Sequence, residues 1–287
     1  MLSLDIIEII SKRVMVCAEQ NNVELTSTII TNGRYFDAES LKTLQGYGLR
    51  SAQITLDGML ESYCKSKGAS KDDFYAVINN VLHAVDKTKI SIRLNIPDYE
   101  LCEAIKTTDF FLSEHSLLNK INIYLAFIRD YSRKCENARQ EYIDYAKALF
   151  SYLVYINSKY GDYHVKNFYP KSKVTFCGLI RSCNTCIGPN GETYRCERDF
   201  GDSSKITGDI WRGCYFSAAE FDYWSTADAP QKQKCTRCDY LPVCMGGCMS
   251  HHIIGYDGFD CAAFKQLQLK LKLLEGGVSY GNTCTGY

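Results

Sequence analysis

Leu4, Ile7, Ile10, Val14 and Cys17 recur at the spacing of one helical face while Asp5, Glu8 and Lys12 fall on another, so residues 4–18 predict an amphipathic helix. The run TSTIITNG at 26–33 is β-rich and stopped by an Asn-Gly pair, and a helical stretch follows over 37–47. The unit then returns in kind, with SAQITLD at 51–57 as a strand, 73–86 as a helix and KISIRLNI at 89–96 as a strand. A short helix near 99–106, a strand at 120–128 and a long helix over about 139–158 complete the alternation. Strands alternating with helices at this spacing favour a parallel sheet with right-handed crossovers, open or closed into a barrel, and hence the α/β class.

Two of these strands are two-faced. Gln53, Thr55 and Asp57 share one side, as do Ser91, Arg93 and Asn95, while Ile54, Leu56, Ile92 and Leu94 take the other. A parallel strand with a purely structural role is usually apolar on both faces. Two readings stand: an edge strand with a wet side, or a barrel whose interior holds a polar ligand. In the second, Arg93 makes an inward polar contact; in the first it forms a surface salt bridge.

From about residue 167 the pattern changes to glycine, cysteine and short β-like pieces, VTFCGLIRSCNTCIGPNGETYRC, with Pro189-Asn190-Gly191 as a turn between two short strands. The run AAFKQLQLKLKLLEG after Cys261 predicts a closing helix, and the final residues a flexible tail. The organisation is therefore 1–165, 166–275 and a tail at 276–287.

Charge adds little, since Lys+Arg and Asp+Glu balance at 33 each and give no reason to expect nucleic acid or an anionic membrane as partner. The N-terminal residues lack a basic start, a continuous apolar core and a small-residue cleavage site. No apolar run approaches the roughly 20 residues that span a bilayer. The expected location is the cytoplasm, where structural disulfides are rare and clustered cysteines are metal ligands or catalytic groups.

That matters because the 287 residues hold 15 cysteines. Ten lie in the second module: Cys177, Cys183, Cys186, Cys196, Cys214, Cys235, Cys238, Cys244, Cys248 and Cys261. Thiolates at short intervals let one chain wrap a tetrahedral ion or a cubane cluster, each taking about four sulfurs. Spacing alone leaves zinc and iron-sulfur open.

Cys235-x2-Cys238-x5-Cys244-x3-Cys248, followed by Cys261, resembles the core of the SPASM domain, a two-cluster extension of radical S-adenosylmethionine enzymes. Cys177-x5-Cys183 and the hairpin IGPNGETYRC ending at Cys196 are similar to that domain's first half, and Gly208-Asp209-Ile210 to its Gly-Asn-Ile-like turn. The resemblance implies one auxiliary 4Fe-4S cluster on Cys177, Cys183, Cys196 and Cys248, and a second on Cys235, Cys238, Cys244 and Cys261. Cys186 and Cys214 have no counterpart, and Cys186 competes with Cys183 as ligand. ITNG at 30–33 and TLDG at 55–58 resemble the strand ends that bind the methionine and ribose of S-adenosylmethionine. Asn32 and Asp57 then contact that cofactor, or else cap the helices that follow. Where the family has a His-Asp pair and an Arg, this chain has Tyr63, Cys64 and Lys67, and Lys lacks Arg's bidentate fork.

The family's Cys-x3-Cys-x2-Cys triad is absent from these 287 residues, as is its Gly-Gly-Glu-Pro segment. The resemblance thus implies a partial (β/α)6 TIM-like barrel lacking its first strands, joined to a SPASM domain. It implies a chain that is inactive alone and binds S-adenosylmethionine only if the missing part is supplied. The chain is a fragment of a longer product, is completed by a separate chain, or is a degenerate relative retaining clusters for binding or electron transfer. A peptide or protein is the expected substrate. With the thiols sufficient, His251 and His252 are read as a polar loop rather than as ligands, and the tyrosines of 124–169 as packing one helix face rather than forming a radical relay.

Overall fold

The alternation read along the strands becomes a parallel sheet in the computed structural model, which describes residues 4–96, 100–126, 128, 138–161, 163, 165–174, 177, 184–214, 233–247 and 261–277. The chain divides into two units, one of Met1–Ile128, Asp144–Phe168 and Leu273–Tyr287, the other of Arg129–Ile143 and Tyr169–Lys272.

In the first unit, β1 (Ser27–Thr31), β2 (Leu49–Leu56), β3 (Lys89–Leu94) and β4 (Ile121–Leu125) lie in that order, every neighbour parallel. The helices are α1 (Leu4–Gln20), α2 (Ala38–Gln45), α3 (Leu60–Lys67), α4 (Lys71–Ala84), α5 (Leu101–Asp109) and α6 (Ala138–Tyr160), the last belonging to this unit from Asp144 onward. When each strand pairs with the next in sequence, right-handed crossovers send every connecting helix over the same face. Burial follows that rule. Ala52, Ile54, Leu56, Ile90, Ile92, Leu94, Ile121, Ile123 and Leu125 are buried, and the residues between them are half-exposed. Leu41, Phe74, Val77, Val81, Ala104, Leu149 and Leu153 supply the buried helix side of this core.

Several expectations are corrected. β2 and β3 are central strands, so their wet side does not come from an edge position. The helix expected over 73–86 starts at Lys71, because Ser70 accepts the Asp73 N–H at 3.2 Å while Asp73 accepts the Ser70 N–H at 2.9 Å. α3 has no counterpart among the expected helices; Tyr63 is its one buried residue, too little to print an apolar stripe. α5 runs on into a π-helical turn at Phe110–Glu114. The tyrosines of α6 do more than fill space. Tyr152 is 1% exposed and shares a 2.8 Å hydrogen bond with Thr108, while Tyr155 and Tyr160 donate to Asp109 at 2.7 and 2.6 Å and Lys159 meets it at 2.8 Å.

In the second unit, β5 (Cys186–Ile187), β6 (Glu192–Tyr194), β7 (Ile206–Asp209) and β8 (Gly213–Cys214) form an antiparallel sheet. The expected Pro-Asn-Gly turn joins β5 to β6, closed by Gly188 N–H to the Glu192 carbonyl at 2.8 Å. The closing helix spans Cys261–Glu275, and the tail beyond 277 lies outside the described residues. Among the described residues no helix is long and apolar enough to cross a membrane.

Ile92 is 0% exposed and Ile30 on the same sheet is 71% exposed. Ile92→Ala is therefore expected to cost about 2–5 kcal/mol in urea denaturation, and Ile30→Ala less than about 0.5 kcal/mol. Burial alone would raise the Asp109 carboxyl, but the bonds from Lys159, Tyr160 and Tyr155 outweigh it and hold the group below the usual range. A depressed folded-state value contributes stability above the unfolded value of about 3.9, lost as pH falls through the folded one. Asp109→Asn should flatten the acid limb of the stability profile, read as the urea midpoint between about pH 6 and pH 3.

Candidate functional site

The polar side of the parallel sheet is the first candidate surface. Parallel partners point the same way, so the register places Gln53, Ser91 and Asn122 in one row and Thr55, Arg93 and Tyr124 in the next. Side chains join across the strands: Thr28 and Ser51 hydroxyls at 2.8 Å, Asn122 Nδ2 to Ser91 Oγ at 3.4 Å, and the Tyr124 hydroxyl to Gln53 Oε1 at 2.6 Å. Arg93 Nε donates to Asn95 Oδ1 at 3.1 Å on this half-buried face. Burial raises the Tyr124 phenol above its ordinary value, and the nearby Arg93 charge opposes that shift. The surface thus offers a guanidinium, amides and hydroxyls to a polar molecule. Gln53 and Arg93 are evident from alternation; Asn122 and Tyr124 escape the sequence reading, although INIYL alternates in the same way.

The strand ends are built by neighbours distant in sequence. Gly33, two residues past β1, has φ +82°, and a Cβ there would meet Ile54 Cγ2 at 2.9 Å and Val77 Cγ1 at 3.1 Å. Glycine alone allows that approach. Asn80 of α4 donates to the Gly33 and Arg34 carbonyls at 2.9 and 3.0 Å. Asn32 is exposed and its Oδ1 accepts the Arg34 N–H at 3.1 Å. Asp57 is 8% exposed, accepts from Ser66 at 2.9 Å, and faces Lys67 Nζ across 3.1 Å in a charge contact outside hydrogen-bond alignment.

Neither Asn32 nor Asp57 caps a helix. Asp37 caps α2 by accepting the Ser40 N–H at 2.9 Å, and Glu103 of α5 receives the Met59 N–H at the start of α3 at 2.6 Å. Glu103 leaves no local sequence signal, since it stands 44 positions from the amide it caps.

The thiols of the second unit form the other candidate. Cys235 lies in a helical turn (Gln233–Thr236), Cys238 N–H returns to the Cys235 carbonyl at 3.0 Å, and Cys244 ends the turn Leu241–Cys244. Met245, Gly246 and Gly247 then have φ of +52°, +81° and +81°, so the two glycines let the chain swing away directly after Cys244. Burial pushes the Cys244 thiol up, and the neighbouring Cys261 and Cys235 push it the same way, against the Gly246 N–H and Lys173.

Cys196 is buried and Cys177 half-buried. Burial raises the Cys186 thiol, as do Glu197, Asp199 and Cys177, with Arg195 opposing. Cys183, Cys248, His251 and His252 lie outside the described residues. Among the described residues, no three His, Cys, Asp or Glu side chains crowd closely enough to share one metal ion. Thiolate donors as a type suit zinc or iron-sulfur chemistry.

No family model matches the chain, and no curated protein matches it. Among solved structures it is similar to a histidine-tagged anSMEcpe with bound AdoMet, at a TM-score of 0.57 and 15% identity, over 91% of this chain and 77% of that one. At that identity the likeness is one of fold.

Lys67→Ala leaves the buried Asp57 carboxylate with the Ser66 hydroxyl as its remaining described partner. It should cost about 1–3 kcal/mol in thermal or urea unfolding, whereas Lys67→Arg, which keeps the charge, should restore most of that loss.

Proposed function

We propose that this chain is the C-terminal part of a radical S-adenosylmethionine enzyme that modifies a peptide or protein, with a partial (β/α)6 barrel followed by a SPASM domain. The observation that carries the reading is the fold likeness, across 91% of the chain, to a structure with bound AdoMet. The two-faced central strands support it, because their open polar side is what a barrel interior that binds a polar cofactor requires.

On this reading the strand ends hold S-adenosylmethionine, with Asn32, Asp57 and Arg93 as its contacts. Asp57 serves by fixing Lys67 and α3 beside the β2 end. The Gln53–Tyr124 bond holds the facing polar side chains in place. Cys177, Cys183, Cys196 and Cys248 hold one 4Fe-4S cluster, and Cys235, Cys238, Cys244 and Cys261 the other. When bound, such clusters supply one-electron transfer and substrate anchoring. The protein's part is to present thiolates rather than thiols, since metal binding displaces the protons. The raised thiol at Cys244 makes metal uptake pH-dependent in the same sense.

The radical-generating Cys-x3-Cys-x2-Cys triad is absent from these residues, which favours a partner segment or separate chain that provides it. Exposed apolar groups support such a partner. Ile30 of β1 is 71% exposed, and Ile6, Ile9, Ile10, Val14 and Val16 of α1 are each at least 43% exposed. The alternative reading is a non-enzymatic iron-sulfur accessory or peptide-binding protein of the cytoplasm.

Anaerobic reconstitution followed by iron and sulfide analysis tests the reading. The wild type should hold about eight irons and be brown, and Cys238→Ala and Cys196→Ala should each lose about half. A colourless protein with stoichiometric zinc would replace this reading with a zinc-stabilised module.

A further inference from the structure

We infer that the margin of the first unit where β2, β3 and β4 begin carries an anion site, which takes the phosphate group of a small molecule. An open cavity of about 630 Å³ lies there, a volume in the range of small-molecule sites. Its wall is made by the first residues of β2 and β3, the link from α4 to β3, and Lys120, one residue before β4. Asp57 and Asn95 follow the opposite ends of the same parallel strands. The cavity is therefore separate from the polar strand ends described above, and the inference does not rest on the cofactor reading.

Charge at this margin departs from that of the chain. Lys+Arg and Asp+Glu balance at 33 each overall, whereas the wall holds Arg50, Lys87, Lys89 and Lys120 against Asp86 alone. Arg50 meets Glu24 at 3.4 Å and Lys120 meets Asp86 at 2.9 Å, in each case between exposed side chains. Such pairs contribute little, so either cation is free to turn to a bound anion. Lys87 faces the imidazole of His83, and Lys89 has no acid partner among the described residues. Ser51 pairs with Lys89 and Ile90 with Ile121. Carried back one residue, that register sets Lys120 beside Lys89 and Arg50 beside Thr88, on strands about 4.8 Å apart. Like charges on neighbouring strands repel, and an anion between them relieves the repulsion.

Thr88 supplies the second observation. Its Oγ1 is shut off from solvent and has no hydrogen-bond partner among the described residues, which costs stability until an acceptor arrives. Ammonium and guanidinium groups only donate and the hydroxyl has a proton to give, so one acceptor with several oxygens satisfies them together. Leu49 and Val85, each 8% exposed, add an apolar stretch of wall. The plainer role is a charged margin that keeps the protein in solution. A margin of that kind intersperses the two signs and needs neither a cavity nor an unmet hydroxyl.

The test is calorimetric titration of the full chain at constant ionic strength with inorganic pyrophosphate, glucose 6-phosphate and glucose. Both phosphate compounds should bind and glucose should not. A tighter glucose 6-phosphate identifies a phosphate ester as the source of the group, and a tighter pyrophosphate identifies free inorganic phosphate. Lys89→Ala and Lys120→Ala, which truncate exposed side chains and should keep the wild-type unfolding midpoint, should each weaken pyrophosphate about tenfold. Thr88→Val should weaken it about threefold, and Lys12→Ala, on α1 and outside the cavity, should leave it unchanged. Wild-type affinity in both Lys89→Ala and Lys120→Ala, or no binding beyond a matched sodium chloride control, overturns the inference. So does loss in Arg93→Ala with retention in Lys89→Ala, which would put the anion on the polar face of the sheet.

Discussion

Everything in the first unit depends on the sequential order of four parallel strands. Because each strand pairs with its chain neighbour, the crossovers that join them share one handedness and deliver their helices to one face. That face is paved with Ile, Leu and Ala from β2, β3 and β4 and is fully buried. The opposite face receives no helix from those crossovers, so its residues are free to be polar, and on β2, β3 and β4 they are, while Ile30 of β1 stands exposed beside Gln53. An apolar residue there would gain nothing from burial, whereas hydroxyls, amides and a guanidinium can bond to one another and to whatever is bound.

The same constraint governs what can be read in the chain. Isoleucine alternating with polar residues announces β2 and β3, since a period of two belongs to extended chain with one face buried, and the polar face is legible from Gln53, Ser91 and Arg93 alone. α3 stays hidden because a helix that buries one side chain, Tyr63, has no periodicity to display. The caps mislead for a related reason. Asn32 and Asp57 sit next to helices in sequence, but the groups that satisfy those helix starts are Asp37 and Glu103. Only a folded chain brings Glu103 to Met59.

The cysteines divide along the same line. Their intervals are enough to suggest two sulfur-rich sites, because interval is a property of the chain. Which thiol faces inward is a property of strand register, and register at Cys186 rests on a turn and on the bond from Arg195 to the Asn184 carbonyl rather than on cysteine spacing. The glycines after Cys244 belong to the legible part, since two adjacent left-handed residues that let the chain turn aside need little else.

The hydroxyl of Tyr124 reaches Gln53 from two strands away, over the top of Ser91 in the strand between. β3 is thereby held along both edges and roofed by a tie between its two neighbours. Peeling β4 from the margin cannot proceed one ladder rung at a time, because the tie must part before the outer strand swings clear. The polar floor therefore keeps its shape when the margin frays, a rigidity that a face made only of short side chains would lack.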